Sequence, residues 1–346
     1  MVRVGIINVT GYMGAEAARL LHSHPEVDLV SVTGRSEAGK PLGAVFPHLA
    51  PLGLTIEKQL GEVDAIVSAL PHAASVATLL PHIEQGLPVV DLSADFRLRN
   101  EADYESWYGS HPAPQLLSQA VFGIPELHRD EIKAAKLVAA SGCHSSAAIL
   151  ALAPAIKAGL IEPDIIVDSK SGISGAGRAL GLSYHFSEAN EGVSAYALGG
   201  HRQLPEMTQE LGALCEAPAP RITFVPHLIP MSRGILVTCY ATLRPSGEGL
   251  RDNGSTDAAS IRALYDDFYD SSPFVRVTDE PPATKQTVGS NHCFLYPVVD
   301  ERTRRLIVVG CLDNLGKGGA GQGVQCLNLM LGLPETAGLT GTAVYP

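Results

Sequence analysis

No two of the six cysteines in this 346-residue chain form a CxxC pair, and none has the spacing of a zinc ligand set. A disulfide framework or a metal centre is therefore not expected, and reduced thiols are the default. Nor is there a run of about 18 apolar residues, the length a membrane-spanning helix needs. The opening "MVRVGIINVTGYMG" enters a strand pattern at once, without the basic and apolar blocks of a secretory leader. These absences predict a soluble, cytoplasmic protein with no membrane association. Positive charge is scarce too: 25 Lys and Arg face 36 Asp and Glu, for a formal net charge of -11. That argues against a nucleic-acid partner, and any anionic ligand must be met by local Arg, Lys or backbone N–H groups. No internal repeat or low-complexity linker interrupts the chain.

What is present is enough apolar sequence, 45% of residues, for about two domains with sizeable cores. Strand-like "VRVGII" (2–7), "VDLVSVT" (27–33), "DAIVSAL" (64–70), "PVVDLS" (88–93) and "KLVAAS" (136–141) alternate with helix-like stretches such as "GYMGAEAARLLHSH" and "ASVATLLPHIEQG". This rhythm predicts a doubly wound parallel sheet over roughly the first 140 residues. Beyond it, "DIIVDSKS" (164–171), "RITFVPHL" (221–228), "GILVTCYATL" (234–243) and "RLIVVGCLD" (305–313) are spaced by longer polar segments, as in a mixed sheet. The closing "GKGGAGQGVQCLNLMLGL" reads as a glycine-rich approach to a helix that can return to either domain.

Two features of the first part suit a nucleotide. In "GIINVTGYMGAE", Gly5, Gly11 and Gly14 share a three-residue spacing with Asn8, and Asn is the non-glycine residue that best tolerates positive φ. Thr10, Gly11, Tyr12, Met13 and Gly14 then lie where a turn feeds a helix N-terminus, whose amides can hold a pyrophosphate. At the end of the second strand, "TGRSEAGK" has Arg35 and Ser36 where an NAD site commonly carries an acidic residue. Guanidinium and hydroxyl suit a 2′-phosphate, which favours NADP(H) over NAD. The alternatives are a glycine turn kept for packing and an ordinary surface arginine.

In "AASGCHSSAAILALAPAIKAG", Cys143 precedes a run that can wind into a helix, with Ser145 or Ser146 placed to cap its first turn. Two readings are open. Cys143 is either a packed core cysteine or a thiol that unpaired amides and the helix dipole draw towards the reactive thiolate. In "YALGGHRQLPEMTQELGAL", Pro205 and Glu206 suit a helix start, so a loop can present His201 and Arg202. If His201 meets Cys143, it can take a proton from the thiol and return one to an alkoxide, given an ordinary imidazole pKa near neutrality. A cysteine and histidine alone would also fit a thiol acyltransferase or hydrolase, or a nucleotide-binding regulator that has lost catalysis; Arg35 and the glycine turn weigh towards redox chemistry.

At this point the chain resembles the N-acetyl-γ-glutamyl-phosphate reductases of arginine biosynthesis, through "GYMGAE", "TGRSEAGK", "LPH", "DLSADFRL", "GIPEL", "SGCHSSAAILAL", "DSKSGISGAGR", "NEGVSAY", "GHRQLPE", "SRGILVT" and "DNLGKGGAGQGVQCLNLMLGLPETAGL". The motifs run from end to end, and "SGISGAGR" and "NEGVSAY" favour this branch over aspartate-semialdehyde dehydrogenase and the aminoadipate-pathway relatives. The resemblance implies an α/β Rossmann NADP-binding domain (1–142 and 317–346). With it goes an α+β catalytic and oligomerisation domain (143–316) of the glyceraldehyde-phosphate and aspartate-semialdehyde dehydrogenase type. It implies Cys143 as nucleophile and His201 as acid–base histidine, acting through a thioester that accepts hydride from NADPH. Leu70, Pro71, Ser93 and Asn314 join the cofactor set. Ser174, Gly175, Arg178 and Arg202 become contacts for a small anionic substrate and phosphate, with Ser171 and Arg233 as further candidates. No metal is implied, and a homodimer or homotetramer is. The sequence departs from the family pattern at Asn8, at Ala140 and Ser141 before the catalytic glycine, at His144, Ser145 and Ser146 after the cysteine, and at Gln203, where a second histidine is usual. His144 is thus an alternative local base.

Overall fold

The short apolar runs of the first 140 residues fold into strands that are buried over most of their length, as strands of a helix-covered parallel sheet are. They are β1 (Val2–Ile7), β2 (Val27–Thr33), β3 (Ile56–Glu57), β4 (Ala65–Ser68), β5 (Val89–Asp91), β6 (Val121–Gly123) and β7 (Leu137–Ala140). All pair in parallel, in the order β3-β2-β1-β4-β5-β7-β6. The order reverses between β1 and β4, the place where doubly wound sheets take their ligands. The structure, a computed structural model, describes residues 1–215, 219–245 and 257–345. It divides into two units, Met1–Gly142 with Gly319–Gly341, and Cys143–Gly318 with the residues from Thr342.

In the first unit the final helix, Gly321–Met330, packs on helices Tyr12–His22 and Pro125–Ala134. Polar anchors fix it there. Asn328 Nδ2 donates to the carbonyls of Glu335 and Ala337, and its Oδ1 meets His24 Nε2 at 2.9 Å. The "DLSADFRL" stretch holds the turn before helix Ser75–Glu84. Asp95 accepts the N–H groups of Ala73 (2.7 Å) and Ser75 (3.0 Å), while buried Asp91 accepts the hydroxyls of Ser75 and Ser93. Burial raises the Asp91 pKa against those hydrogen bonds.

The second unit is a mixed sheet of β8 (Ile161–Ser171), β9 (Ser194–Ala195), β10 (Arg221–Leu228), β11 (Ile235–Leu243), β12 (Val275–Val277), β13 (Cys293–Asp300) and β14 (Arg305–Leu312). Its order is β12-β13-β14-β11-β8-β10-β9. Residues alternate along the strands, with Ile235, Val237, Cys239, Ala241 and Leu243 buried. Against that face lies helix Cys143–Lys157, buried without a break from His144 to Ile156. Its lining of Ala, Ile and Leu explains the depth. The expected strands of both units are present within one to three residues at each end.

Candidate active site

In the first unit the glycine turn has the conformation its residues predict. Asn8 has φ +65°, its side chain donates to the Ala69 carbonyl at 2.8 Å, and its backbone N–H donates to Thr33 Oγ1 at 3.3 Å. A Cβ on Gly14 would sit 2.4 Å from the Asn8 carbonyl oxygen, so only glycine lets the helix approach the strand. Helix Tyr12–His22 starts after Gly11 with no side-chain cap, which suits amides meant for a bound anion. Arg35 and Ser36 are exposed directly after β2. Leu70 is buried and Pro71 exposed after β4. The Ser93 hydroxyl faces inward, donating to Asp91 and accepting from Asp95 N–H at 3.1 Å. These residues fit a dinucleotide with a 2′-phosphate.

In the second unit Cys143 is the first residue of its helix and, with Cys215, one of two cysteines that are not fully buried. The expected cap at Ser145 or Ser146 is replaced. The helix begins earlier, and Gln203 Oε1, from the distant His201 loop, accepts the N–H groups of His144 (2.9 Å) and Ser145 (3.1 Å). The Ser145 hydroxyl instead donates to buried Glu206 at 2.6 Å. A local capping rule cannot detect a partner 58 residues away. A Cβ on Gly318 would lie 2.7 Å from that of Cys143, so this glycine makes room for the thiol.

His144, the alternative local base, lies inside the fold. Its ring is buried, with Nδ1 2.8 Å from Ser169 Oγ and Nε2 3.0 Å from Tyr196 Oη. Burial first, and the charge of His201 second, push its pKa down to about 3. His201 packs edge-on against His144 (ring centroids 5.3 Å apart), Tyr196 (5.6 Å) and Phe224 (5.2 Å). The expected imidazole near neutrality is corrected here: burial and the adjacent Arg202 charge push His201 down to about 4. Tyr196 is raised, chiefly by burial and then by the charge of Cys143. Both imidazoles, the phenol and Phe224 therefore form one ring cluster, and the Cys143 thiol lies within electrostatic reach of its Tyr196 member. Tyr196 and Ser169 carried no signal beyond their motifs, because their roles depend on a histidine at 144.

The loop after β8 continues beside residues 231–234, with Ser174 N–H donating to the Ser232 carbonyl at 3.0 Å. Asn314 Nδ2 donates to Ser174 Oγ at 2.9 Å and its Oδ1 accepts Gly234 N–H at 2.7 Å, so expected cofactor and substrate residues meet. Gly175 and Arg178 are exposed on this loop, as is Arg202 beside His201. Arg233 has a structural role instead. It forks onto buried Asp313 through Nε (3.1 Å) and Nη2 (2.8 Å). Among the described residues no group of three or more His, Cys, Asp or Glu could hold a metal ion.

Residues 3–135 match the family model for the semialdehyde dehydrogenase NAD binding domain, and residues 143–314 that for the semialdehyde dehydrogenase dimerisation domain. The chain is 52% identical over 346 residues, 99% of each sequence, to an N-acetyl-gamma-glutamyl-phosphate reductase of Dehalococcoides mccartyi (strain CBDB1). It is 46% identical over 361 residues, 100% of each, to one of Geobacter sp. (strain M21). Among solved structures it resembles aspartate semialdehyde dehydrogenase II of Vibrio cholerae complexed with ASA, with a TM-score of 0.68 at 16% identity over 96% of this chain and 98% of that one. The enzyme of Candida albicans with NADP gives 0.65 at 16% identity over 96% of this chain and 98% of that one. At such identities the structures speak for the fold alone.

Proposed function

The chain belongs to the N-acetyl-γ-glutamyl-phosphate reductase family of the semialdehyde dehydrogenases, and from that membership we propose a working site built on Cys143. It is an NADP(H)-dependent oxidoreductase. It reduces N-acetyl-γ-glutamyl phosphate to N-acetylglutamate 5-semialdehyde and phosphate, a step of arginine biosynthesis. The observation that carries the mechanism is a partly exposed cysteine at the first position of an otherwise buried helix, within electrostatic reach of Tyr196, which packs with His144 and His201.

The Cys143 thiolate attacks the acyl carbon. A C–S bond forms, the C–O bond to phosphate breaks, and phosphate leaves with the electron pair and takes its proton from water. NADPH, when bound, supplies the hydride that turns the thioester into the aldehyde. Cys143 then departs as thiolate, a better leaving group than an alkoxide. Ser174, Gly175, Arg178 and Arg202 meet the substrate's anionic groups. Thr10, Gly11, Tyr12, Met13 and Gly14 hold the pyrophosphate, Arg35 and Ser36 the 2′-phosphate, and Leu70, Pro71, Ser93 and Asn314 the rest of the dinucleotide. Beyond its bonds to Ser174 and Gly234, the Asn314 amide has capacity for a further donor and acceptor contact.

The protein works as a homodimer or homotetramer in the cytoplasm, a setting that suits six free cysteines. Support for assembly comes from the sheet face turned away from helix Cys143–Lys157. There Val298, Ile307, Tyr240 and Ile166 lie in register across four strands, and Ile166 is 41% exposed. Leu180, Leu182, Phe186, Val193 and Leu198 form a second exposed apolar set, more than a monomer usually leaves to water.

Phosphate-dependent reduction of NADP by N-acetylglutamate semialdehyde tests the assignment. The acetylglutamyl compound is expected to outperform aspartate and aminoadipate semialdehydes; a preference for either of those contradicts it.

A further inference from the structure

The Ser169 hydroxyl on β8 is fully buried, and among the described residues its one hydrogen-bond partner is Nδ1 of His144, at 2.8 Å. The other ring nitrogen, Nε2, meets the Tyr196 phenol at 3.0 Å, and that hydroxyl has no other hydrogen-bond partner among the described residues. Counting protons decides which atom donates in each pair. Burial, and then the charge of His201, hold the His144 pKa down to about 3, so the ring is neutral and carries one proton. With that proton on Nδ1, the ring would donate to Ser169 and leave a buried hydroxyl hydrogen without an acceptor, which folded proteins avoid. With it on Nε2, Ser169 donates to bare Nδ1 and Nε2–H donates to Tyr196 Oη, so both buried donors are used. This second arrangement turns the phenol hydrogen away from the ring. Tyr196 is only partly buried, and its O–H is left to donate beyond the ring cluster.

We propose that His144 is a positioning residue: with Ser169 behind it, it holds the Tyr196 hydroxyl as a hydrogen-bond donor to the Cys143 thiolate. Two further observations lead to this target. His144 directly follows Cys143 at the helix start, and the amides of His144 and Ser145, which an uncapped helix would offer to a thiolate, are both taken by Gln203 Oε1, at 2.9 and 3.1 Å. A donor from another element then takes their place. Tyr196, next to β9, lies within electrostatic reach of Cys143, whose charge is second to burial in raising the pKa of the phenol. A phenol so raised keeps its hydrogen at neutral pH and acts as a neutral donor. Around the relay, His201 packs edge-on against Tyr196, with ring centroids 5.6 Å apart, and Phe224 covers His144 at 5.4 Å. The hydrogen stays on the phenol while the thiolate adds and leaves. A hydrogen bond to the charged form lowers the pKa of the thiol and so raises the share of reactive thiolate. His144 is one of the positions at which the sequence departs from the family pattern, and Ser169 acquires its role only through it.

This inference rests on Cys143 being the nucleophile, and two measurements that do not depend on turnover test it. In protein carrying ¹⁵N-histidine, with His144→Gln used to assign the ring, Nε2 should be protonated and Nδ1 bare between about pH 6 and 8. A proton on Nδ1, or an imidazolium, overturns the proposal. The second readout is the pH profile of Cys143 alkylation by iodoacetamide, followed by peptide mass spectrometry. Tyr196→Phe, which removes one oxygen from a partly exposed ring, should raise the thiol midpoint by roughly one to two pH units, the equivalent of one charge-assisted hydrogen bond. Ser169→Ala should raise it by less, because the ring loses the donor that keeps Nδ1 bare. A merely structural role would move the unfolding midpoint and leave the thiol midpoint in place, so an unchanged thiol midpoint in folded Tyr196→Phe protein overturns the proposal. Cys143→Ser separates this inference from the reading beneath it. A fully active serine variant removes the cysteine mechanism and with it the purpose of the relay, whereas an inactive one, alongside an unchanged midpoint in Tyr196→Phe, overturns the relay alone.

Discussion

The placement of the thiol depends on a glycine far along the chain. A Cβ on Gly318 would come within 2.7 Å of Cys143 Cβ and 2.9 Å of Leu312 Cδ1, closer than carbon atoms pack. Gly318→Ala should therefore cost about 1–3 kcal/mol through overpacking and displace Cys143. Denaturant unfolding and the rate of Cys143 alkylation read these two effects, and a variant matching wild type in both contradicts the close approach. Cys143 and His201 stand out in the sequence because their chemistry is rare and their neighbours signal a helix start and a loop. Gly318 is one of several glycines in "GKGGAGQG", and its role exists only once the second unit is packed. Gln203 reads as a lost histidine, yet in the fold it caps one helix and orients one ring. The helix cap and the glycine's contact with Cys143 reach across 58 or more residues, and local rules do not see them.

Among the elements, helix Cys143–Lys157 contains a proline that ought to weaken it. Pro154 has no N–H for the carbonyl four residues earlier. That carbonyl, Leu150, accepts the Tyr269 hydroxyl at 2.5 Å, and the next, Ala151, accepts Tyr265 at 2.7 Å, both from helix Ala258–Tyr269. Tyr269→Phe leaves a buried carbonyl unsatisfied and should cost about 1–3 kcal/mol. A lowered urea midpoint with an unchanged slope checks this; an unchanged midpoint refutes the bridge. Strands with continuous Val and Ile runs are legible from sequence. β13, "CFLYPVVD", is harder to see, since Pro297 inside it argues against a strand. The mixed order of the second sheet follows from pairings such as β10 beside β8, which no local pattern encodes.

At the scale of the whole molecule, Val298, Ile307, Tyr240 and Ile166 make an apolar row across one sheet face. Ile166→Glu puts a charge in the middle of it and should shift the protein towards monomer in sedimentation equilibrium, with the monomer still folded. An unaltered mass removes this face from the assembly. The two-unit organisation is legible because both the βαβ rhythm and the later mixed pattern are long and periodic. The most direct test of the account is covalent: acid-quenched protein mixed with N-acetyl-γ-glutamyl phosphate without NADPH, analysed by peptide mass spectrometry. An N-acetylglutamyl adduct on the Cys143 peptide, absent from Cys143→Ser and discharged when NADPH is added, is the predicted result; active protein with no adduct, or with the adduct on another residue, would contradict the thioester mechanism.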